Sequence, residues 1–182
     1  MGPHFALKIN ITINSWPDVS AYHRNIYHVT DGIGNRQGDF GTTGDRYPFL
    51  NLNNAQMQFT SEKNGQFSPV DYRFNPTLGT KYEVEIYQIN RQGTTVFEIY
   101  LDDERVDSDV NSSPVIVEDA MVFLTDDFYE PGDATVEYFY LESYFCESGF
   151  SWSDSLMSCR SKYNFSNNHY LTLDKLWNGF NF

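Results

Sequence analysis

Carboxylates near the end of one predicted strand are the first residues whose type and spacing could do chemistry. Asp126 and Asp127 follow an apolar run, and Asp133 comes after Pro131-Gly132. Calcium takes carboxylate and carbonyl oxygens as ligands, so Asp126, Asp127 and Asp133 form a candidate metal site with calcium as the candidate cofactor. The alternative is that Asp is common in turns, because its side chain bonds nearby backbone amides. The spacing resembles no EF-hand loop.

Aromatic rings and one guanidinium are the second kind of candidate binding group. Phe128 and Tyr129 follow the Asp pair, and Trp16 stands after the first predicted strand. Rings at loop ends can stack on sugar faces, although a chain that is 17% aromatic also places rings in loops by chance. Arg46 could bind a carboxylate ligand, with a structural pair to Asp45 as the alternative. We predict Phe128, Tyr129, Arg46 and Trp16 as ligand-binding residues.

The cysteines and sequons bear on the cellular compartment. Cys146 and Cys159 flank a loop rich in Gly and Ser, and a disulfide between them would contribute about 3 kcal/mol by restricting the unfolded chain. Two buried free thiols are the alternative. Asn-x-Ser/Thr sequons begin at Asn10, Asn111 and Asn164. Together these features favour the oxidising, secretory side of the cell.

The charge excludes one class of partner. The chain carries 25 acidic and 12 basic residues, a formal net charge of −13. Phosphate backbones need Lys and Arg to neutralise them, so nucleic acid is not an expected partner. The acidity fits either a solvated surface or calcium binding. No apolar stretch has the length of a membrane span, and no apolar segment of a signal peptide follows Met1.

The predicted elements are almost all strands. The run from Phe5 to Ile13 alternates apolar and polar residues, as in a strand with one buried face. Similar runs recur, separated by turn signals such as Asn64-Gly65. In the last of them, Thr135 to Tyr144, the alternation predicts that Val136 and Tyr138 share one face and that Phe139 lies on the other. About ten short strands predict an all-β fold, a two-sheet antiparallel β-sandwich of the jelly-roll kind.

The order of these segments resembles a known pattern. Asn25 to Thr30 is followed by Gly44 to Phe49, and later by Phe97 to Glu104 and Ala120 to Tyr129. The resemblance is to concanavalin A-like, laminin-G-like domains of invertebrate extracellular proteins, and it covers roughly residues 5 to 144. It implies a two-sheet jelly roll, secretion, and binding of glycans, proteins or lipids, in some members with calcium. The sequence departs from the pattern at Asp103, where the hairpin turn usually has Gly.

Catalysis is the alternative that the carboxylates raise. Concanavalin-like glucanases carry a Glu-x-Asp-x-x-Glu arrangement, and a retaining mechanism needs two carboxylates about 5 Å apart. The pairs Glu83 with Glu85 and Glu98 with Asp102 do not match that motif. The histidines show no spacing typical of zinc ligands. We therefore expect no enzymatic activity.

These observations predict a domain organisation and a function. Residues 1–4 are interpreted as a cloning scar, residues 5–145 as the sandwich, and residues 146–182 as a disulfide loop and a tail that packs on the sandwich or starts a neighbouring module. The predicted function is a non-enzymatic extracellular recognition or adhesion module for a glycan or a protein ligand. The alternatives are a self-associating segment of a larger adhesion or matrix protein, and a degenerate glycoside hydrolase.

Overall fold

The computed structural model describes residues 4–17, 23–30, 47–116, 120–124, 130–144, 150–153 and 158–161. Within these ranges the secondary structure is entirely β, and no helix long and apolar enough to cross a membrane occurs in them. The strands are β1 (His4–Ile13), β2 (Arg24–Thr30), β3 (Phe49–Asn53), β4 (Gln56–Lys63), β5 (Gln66–Phe74), β6 (Lys81–Arg91), β7 (Thr94–Leu101), β8 (Glu104–Val110), β9 (Met121–Phe123), β10 (Ala134–Tyr144), β11 (Phe150–Ser153) and β12 (Ser158–Ser161).

Two five-stranded sheets make up the fold. Sheet 1 has the order β10-β1-β6-β7-β8, and sheet 2 has the order β5-β4-β3-β2-β9. All the pairings in both sheets are antiparallel. The short hairpin of β11 and β12 pairs as a separate two-stranded sheet. The predicted all-β sandwich of the jelly-roll kind is confirmed.

The core lies between the sheets and is centred on β1. Its alternate side chains, from Phe5 to Ile13, are fully buried, and β1 is bonded on both sides, to β10 and to β6. Sheet 2 contributes buried residues such as Leu50, Leu52 and Phe59 from the facing side. Each such side chain contributes about 1.5–3 kcal/mol on burial. The alternation of apolar and polar residues along the strands therefore reflects the burial of one face of each sheet.

A bulge in the pairing of β1 with β10 changes one face assignment. Ile9 pairs with Phe139, whereas Ile11 pairs with Val136, so the register shifts by one residue between Asn10 and Ile11. Val136 consequently packs against the core together with Phe139. The prediction that Val136 shares a face with Tyr138 was wrong, because the extra residue of a bulge reverses the alternation.

One strand of sheet 2 is not predicted from the sequence. This strand, β5, contains Pro69 and lies at the edge of sheet 2. Pro cannot donate a ladder hydrogen bond, and an edge strand can accommodate it.

Tight hairpin turns connect the strands of both sheets. Both central residues of these turns have positive φ, as in the type I′ geometry that matches the twist of antiparallel strands. At the turn where the sequence lacks the expected Gly, Asp102 and Asp103 have φ of 49° and 66°, and Asp102 Oδ1 accepts a hydrogen bond from the Glu83 N–H at 2.9 Å. The turn pairs are Asn54-Ala55, Asn64-Gly65, Gln92-Gly93 and Asp102-Asp103.

The turn geometry predicts opposite effects of two exchanges. Ala55 has φ of 64°, a conformation that costs an L-residue about 1–2 kcal/mol relative to Gly, so we expect Ala55→Gly to raise the free energy of unfolding. Gly65 has φ of 66°, and a Cβ there would meet no atom within 4 Å, so we expect Gly65→Ala to lower it by about 1 kcal/mol through the backbone alone. Urea unfolding of both variants tests this; the same sign for both would contradict it.

A buried polar network joins the two sheets at one end of the sandwich. The Tyr47 hydroxyl donates to the Val115 carbonyl at 2.7 Å and accepts from Gln88 Nε2 at 2.8 Å. Gln88 Oε1 accepts from Asn111 Nδ2 at 2.7 Å, and Asn111 Oδ1 accepts from the Asn64 N–H at 2.9 Å. The Asn111 residue is 2% exposed. Since Nδ2 is the atom to which an N-glycan attaches, the packed position of Asn111 is incompatible with one.

The other sequons differ in position. Asn10 lies in β1 between two bonded strands, and its Oδ1 is buried. Asn164 is outside the described residues.

The network makes Asn111 a structural residue, and this is testable. We expect Asn111→Ala to lower the free energy of unfolding by about 2–3 kcal/mol, because it removes the buried hydrogen bond to Gln88 and the one from the Asn64 N–H. Ser113→Ala is the matched control, since it removes the sequon and leaves the Asn111 side chain in place. Urea unfolding gives the stabilities, and intact mass after secretion from eukaryotic cells reports glycosylation. A glycan on Asn111 of the folded protein would refute the assignment.

Candidate functional site

Most of the binding residues predicted from sequence fall outside the described ranges. This applies to Arg46, Asp126, Asp127, Phe128, Tyr129 and Cys146, and their roles stay predictions. Trp16 is half-buried and packs against the core. Cys159 lies in β12, opposite Trp152.

Asp133 connects the end of β1 to the start of β10. Its Oδ1 accepts from Asn14 Nδ2 at 3.1 Å, and its Oδ2 accepts from the Ser15 hydroxyl at 2.6 Å. Its backbone carbonyl also accepts from the Asn14 N–H at 2.9 Å. The hydrogen bond from Ser15, followed by that from Asn14, lowers the pKa of the Asp133 carboxyl. In the described part of the chain, no group of three or more His, Cys, Asp or Glu side chains is placed to hold a metal ion.

The outer face of sheet 2 carries a row of amide side chains. The register pairs Asn25 with Asn51, Asn51 with Gln58, and Gln58 with Arg73. Because paired residues share a face, we call Asn25, Asn51 and Gln58 the amide row; it lies on the face opposite to Leu50 and Leu52 of the core. Asn25 is 1% exposed, Asn51 2% and Gln58 7%, whereas Arg73 is exposed. All three members of the row are therefore buried, and exposure begins at Arg73.

Buried polar atoms of this face lack hydrogen-bond partners. In the part of the chain that the structure describes, these are Asn25 Oδ1 and Nδ2, Asn51 Oδ1, Asn53 Oδ1 and Thr60 Oγ1. A buried polar group without a partner costs about 1–3 kcal/mol, and native proteins pair nearly all such groups. Several such atoms lie on this one face of sheet 2.

A second row on the same face adds apolar surface beside the amides. His28 pairs with Phe49, and Phe49 pairs with Thr60. The His28 and Phe49 rings contact edge to face, with centroids 4.9 Å apart. Phe123 of β9 lies opposite His28. The two rows lie side by side on the outer face of sheet 2.

The segment from Glu130 to Gly132 pairs with the backbone of Asn25 beside β2. The Asn25 N–H donates to the Glu130 carbonyl at 2.9 Å, and the Gly132 N–H donates to the Asn25 carbonyl at 2.8 Å. A Cβ on Gly132 would lie 2.7 Å from Ile26 Cδ1 and 3.1 Å from Leu52 Cδ1, both core side chains, so a larger residue here would require Ile26 to shift. A bulge between Asn25 and Tyr27 accompanies the contact.

The outer face of sheet 1 holds two carboxylates in ion pairs. Glu85 pairs with Lys8 and accepts from the Tyr87 hydroxyl at 2.7 Å. The hydrogen bond to Glu85 raises the pKa of Lys8, and burial, followed by the hydrogen bond to Glu85, raises the pKa of Tyr87 to about 12. Glu85 therefore has the contacts of a structural ion pair.

Glu98 has a similar environment on the neighbouring strand. Its side chain is 4% exposed and accepts from Arg91 at 3.0 Å and from Arg105 at 3.2 Å. The Tyr100 hydroxyl lies 3.3 Å from Glu98 Oε2. Two guanidinium groups satisfy this carboxylate, so its contacts are those of a structural ion pair.

Comparisons with known proteins give the fold. No family model matches the chain, and no curated protein matches it. Among solved structures, the receptor binding domain of botulinum neurotoxin type G superposes with a TM-score of 0.52 at 10% identity, over 76% of this chain and 34% of that one. The chain thus spans about a third of that protein's length. It has a jelly-roll sandwich fold.

Two further structures are similar at lower scores. Sheep galectin-11 has a TM-score of 0.45 at 13% identity, over 78% of this chain and 92% of that one. The carbohydrate binding module CBM66 from Bacillus subtilis has a TM-score of 0.43 at 17% identity, over 78% and 76%.

The raised pKa of Tyr87, on the outer face of sheet 1, predicts that the folded protein loses stability at alkaline pH. The pKa of Tyr87 lies at about 12 in the folded protein, above the ordinary value of 10.0. A raised folded pKa contributes stability that is fully present below the unfolded pKa and is lost as pH rises through the folded pKa. We expect the free energy of unfolding to fall between pH values of about 10 and 12, and Tyr87→Phe to reduce the slope. Urea unfolding measured across this range tests it; an unchanged slope in Tyr87→Phe would contradict it.

Proposed function

We propose that this chain is a non-enzymatic extracellular recognition module that binds a glycan on the outer face of sheet 2. The observation that carries the proposal is the set of buried atoms of Asn25, Asn51 and Thr60 that lack partners. Asn amides and Thr hydroxyls donate and accept hydrogen bonds, and so do sugar hydroxyls. The buried rings of His28 and Phe49 lie beside them on the same face.

The chemistry of the face favours a glycan over the other ligands expected for a sandwich. An apolar ligand would leave the amide oxygens unpaired, which costs binding energy. A peptide that extends a sheet uses the backbone of an edge strand, whereas the candidate groups are side chains on strands β2, β3 and β4. The solved structure that superposes with a TM-score of 0.52 is named as a receptor binding domain, which is also a recognition role.

The non-enzymatic part of the proposal rests on the carboxylates. Glu85 and Glu98 are held in ion pairs by Lys8, Arg91 and Arg105, which are contacts typical of structural carboxylates. A glycosidase uses two carboxyl groups that flank the scissile bond. The proposed extracellular location rests on Cys146 and Cys159. The Asn111 sequon does not support it, because the Asn111 side chain is hydrogen-bonded inside the protein.

Calcium at Asp126, Asp127 and Asp133 is a secondary part of the proposal. A calcium ion would have to displace Asn14 and Ser15 from Asp133 or use its remaining lone pairs. Asp133 is adjacent to Gly132, whose N–H donates to the Asn25 carbonyl.

Self-association is the second candidate function, favoured by one apolar surface. Ile116, Met121 and Leu124 are exposed large apolar residues at or near edge strand β9. An edge strand with apolar neighbours can pair with another chain. Sedimentation of the protein at rising concentration tests this: a constant monomer mass would exclude it.

The amide row gives a direct test of glycan binding. Asn51→Leu replaces an unpaired buried amide by an apolar group of similar shape, which is nearly neutral or stabilising for the fold. We expect this variant to keep its thermal midpoint and to bind glycans at least ~10-fold more weakly, because sugar hydroxyls lose their partner. The readout is a glycan array followed by calorimetry on the glycans bound.

Gln66→Leu is the matched control, since Gln66 is an exposed amide of the same sheet. It should bind as the unmodified protein does. Equal binding by Asn51→Leu and the unmodified protein, or binding of no glycan by either, would refute the proposed site.

A further inference from the structure

We infer that the outer face of sheet 1 holds a second binding site, which takes an arginine side chain of a basic protein segment. The site consists of Tyr138 on β10, Asn10 on β1 and Glu83 on β6, which together we call the Tyr138 row. The amide row lies on the other sheet, so this inference goes beyond the proposed function and does not depend on it.

The register brings the three side chains of the Tyr138 row side by side on one face. Asn10 pairs with Tyr138 on one side and with Glu83 on the other, and paired residues share a face. Ile9 and Ile11, the neighbours of Asn10, are buried in the core, so the row points outward. Tyr138 is 47% exposed, Glu83 is exposed and Asn10 is half-buried. Unlike the amide row, the Tyr138 row is therefore accessible to a ligand.

The spacing of the row fits a guanidinium group. Neighbouring strands lie about 4.8 Å apart, so two strand spacings, about 10 Å, separate the backbone of Tyr138 from that of Glu83. The shorter Asn10 side chain lies between them. A guanidinium above Asn10 can stack on the Tyr138 ring and donate to the Glu83 carboxylate at the same time. Arginine suits both contacts, because its planar group stacks on aromatic faces and pairs with a carboxylate through two N–H groups.

A neighbouring ring orients Tyr138. The centroids of the Tyr138 and Tyr140 rings are 6.5 Å apart, and the ring planes are 7° from parallel. The Tyr140 hydroxyl in turn donates to Glu142. A side chain that its neighbours already orient loses less conformational freedom when it binds, so the Tyr138 ring is prepared to receive a planar group.

The charges around the row favour a cation over a neutral ligand. Glu83 belongs to no ion pair among the described residues, and Asp102 Oδ1 accepts from the Glu83 N–H at 2.9 Å, which brings a second carboxylate next to it. Both carboxylates would attract a cation, and the net charge of −13 attracts basic partners. The described cations on the strands of sheet 1 are all in ion pairs with other carboxylates: Lys8, Lys81, Arg91 and Arg105. A cation at the Tyr138 row would therefore come from a ligand.

The position of the row indicates a protein as the source of the arginine. In the described part of the chain β10 is an edge strand of sheet 1, so a partner that approaches this edge meets the exposed Tyr138 ring first. Tyrosine and arginine are enriched in protein–protein interfaces, and an edge strand can pair with an extended segment. A basic segment beside β10 can place one arginine over the Tyr138 row.

The test uses the whole chain and a labelled synthetic peptide in which arginine and serine alternate. Matched peptides carry lysine or glutamine in place of arginine, and cellotetraose is the neutral sugar. Fluorescence anisotropy and calorimetry at physiological salt, where distant charges are screened, give the affinities. We expect the arginine peptide to bind at least ~3-fold more tightly than the lysine peptide, because only a guanidinium can stack and pair through two N–H groups. The glutamine peptide should not bind.

Four variants separate the outcomes. Glu83→Gln and Tyr138→Ala should each weaken binding of the arginine peptide by about 3- to 5-fold, whereas Tyr138→Phe keeps the ring and should keep the affinity. Asp109→Asn is the matched control, since it removes the same charge from an exposed position on β8, at the opposite edge of sheet 1. It should change the affinity less than about 1.5-fold at this salt concentration.

Several results would overturn the inference. Equal losses in Glu83→Gln and Asp109→Asn would show diffuse attraction to an acidic protein, and equal affinities for the arginine and lysine peptides, or no binding of either, would exclude an arginine site. Binding of cellotetraose that is lost in Tyr138→Ala would assign the row to sugars instead. Glycan binding at the amide row is judged separately with Asn51→Leu, so the failure of one proposal leaves the other standing.

Discussion

The structure depends on the burial of one face of β1 between the two sheets. Phe5, Leu7, Ile9, Ile11 and Ile13 are fully buried, and the strand is bonded to both β6 and β10. Apolar burial is the dominant favourable term in folding, so this strand fixes the register of its neighbours and the face that each sheet presents to the core. The outer faces are then free to carry polar side chains.

The outer face of sheet 2 carries buried polar side chains that lower the stability of the fold. Asn25, Asn51 and Thr60 carry buried atoms without partners, each costing about 1–3 kcal/mol, while a domain has a net stability of only about 5–15 kcal/mol. A core as continuous as the one centred on β1 offsets such a loss. Local rules that are broken in an otherwise consistent fold point to function, and the amide row is the clearest such break among the described residues.

The sequence could predict the strands better than the site. Strict alternation identified β1, β6 and β7, but Pro69 concealed edge strand β5, and no sequence pattern marks the bulge that turns Val136 inward. The amides alternate with core residues in β3 and β4, which is also the pattern of a solvated face. Only the structure shows that Asn51 and Gln58 are shielded from solvent. The one sequence signal for these buried residues is the presence of amides at alternate positions of two successive strands.

The turn before β10 couples Asp133 to the amide row. Asp133 is bonded to Asn14 and Ser15 at the end of β1, and the adjacent Gly132 is bonded to Asn25. Gly132 also lies close to Ile26, so a side chain at this position would require Ile26 to shift. A change that pulled Asp133 away from Asn14 and Ser15 would therefore disturb the backbone hydrogen bonds that join this turn to Asn25.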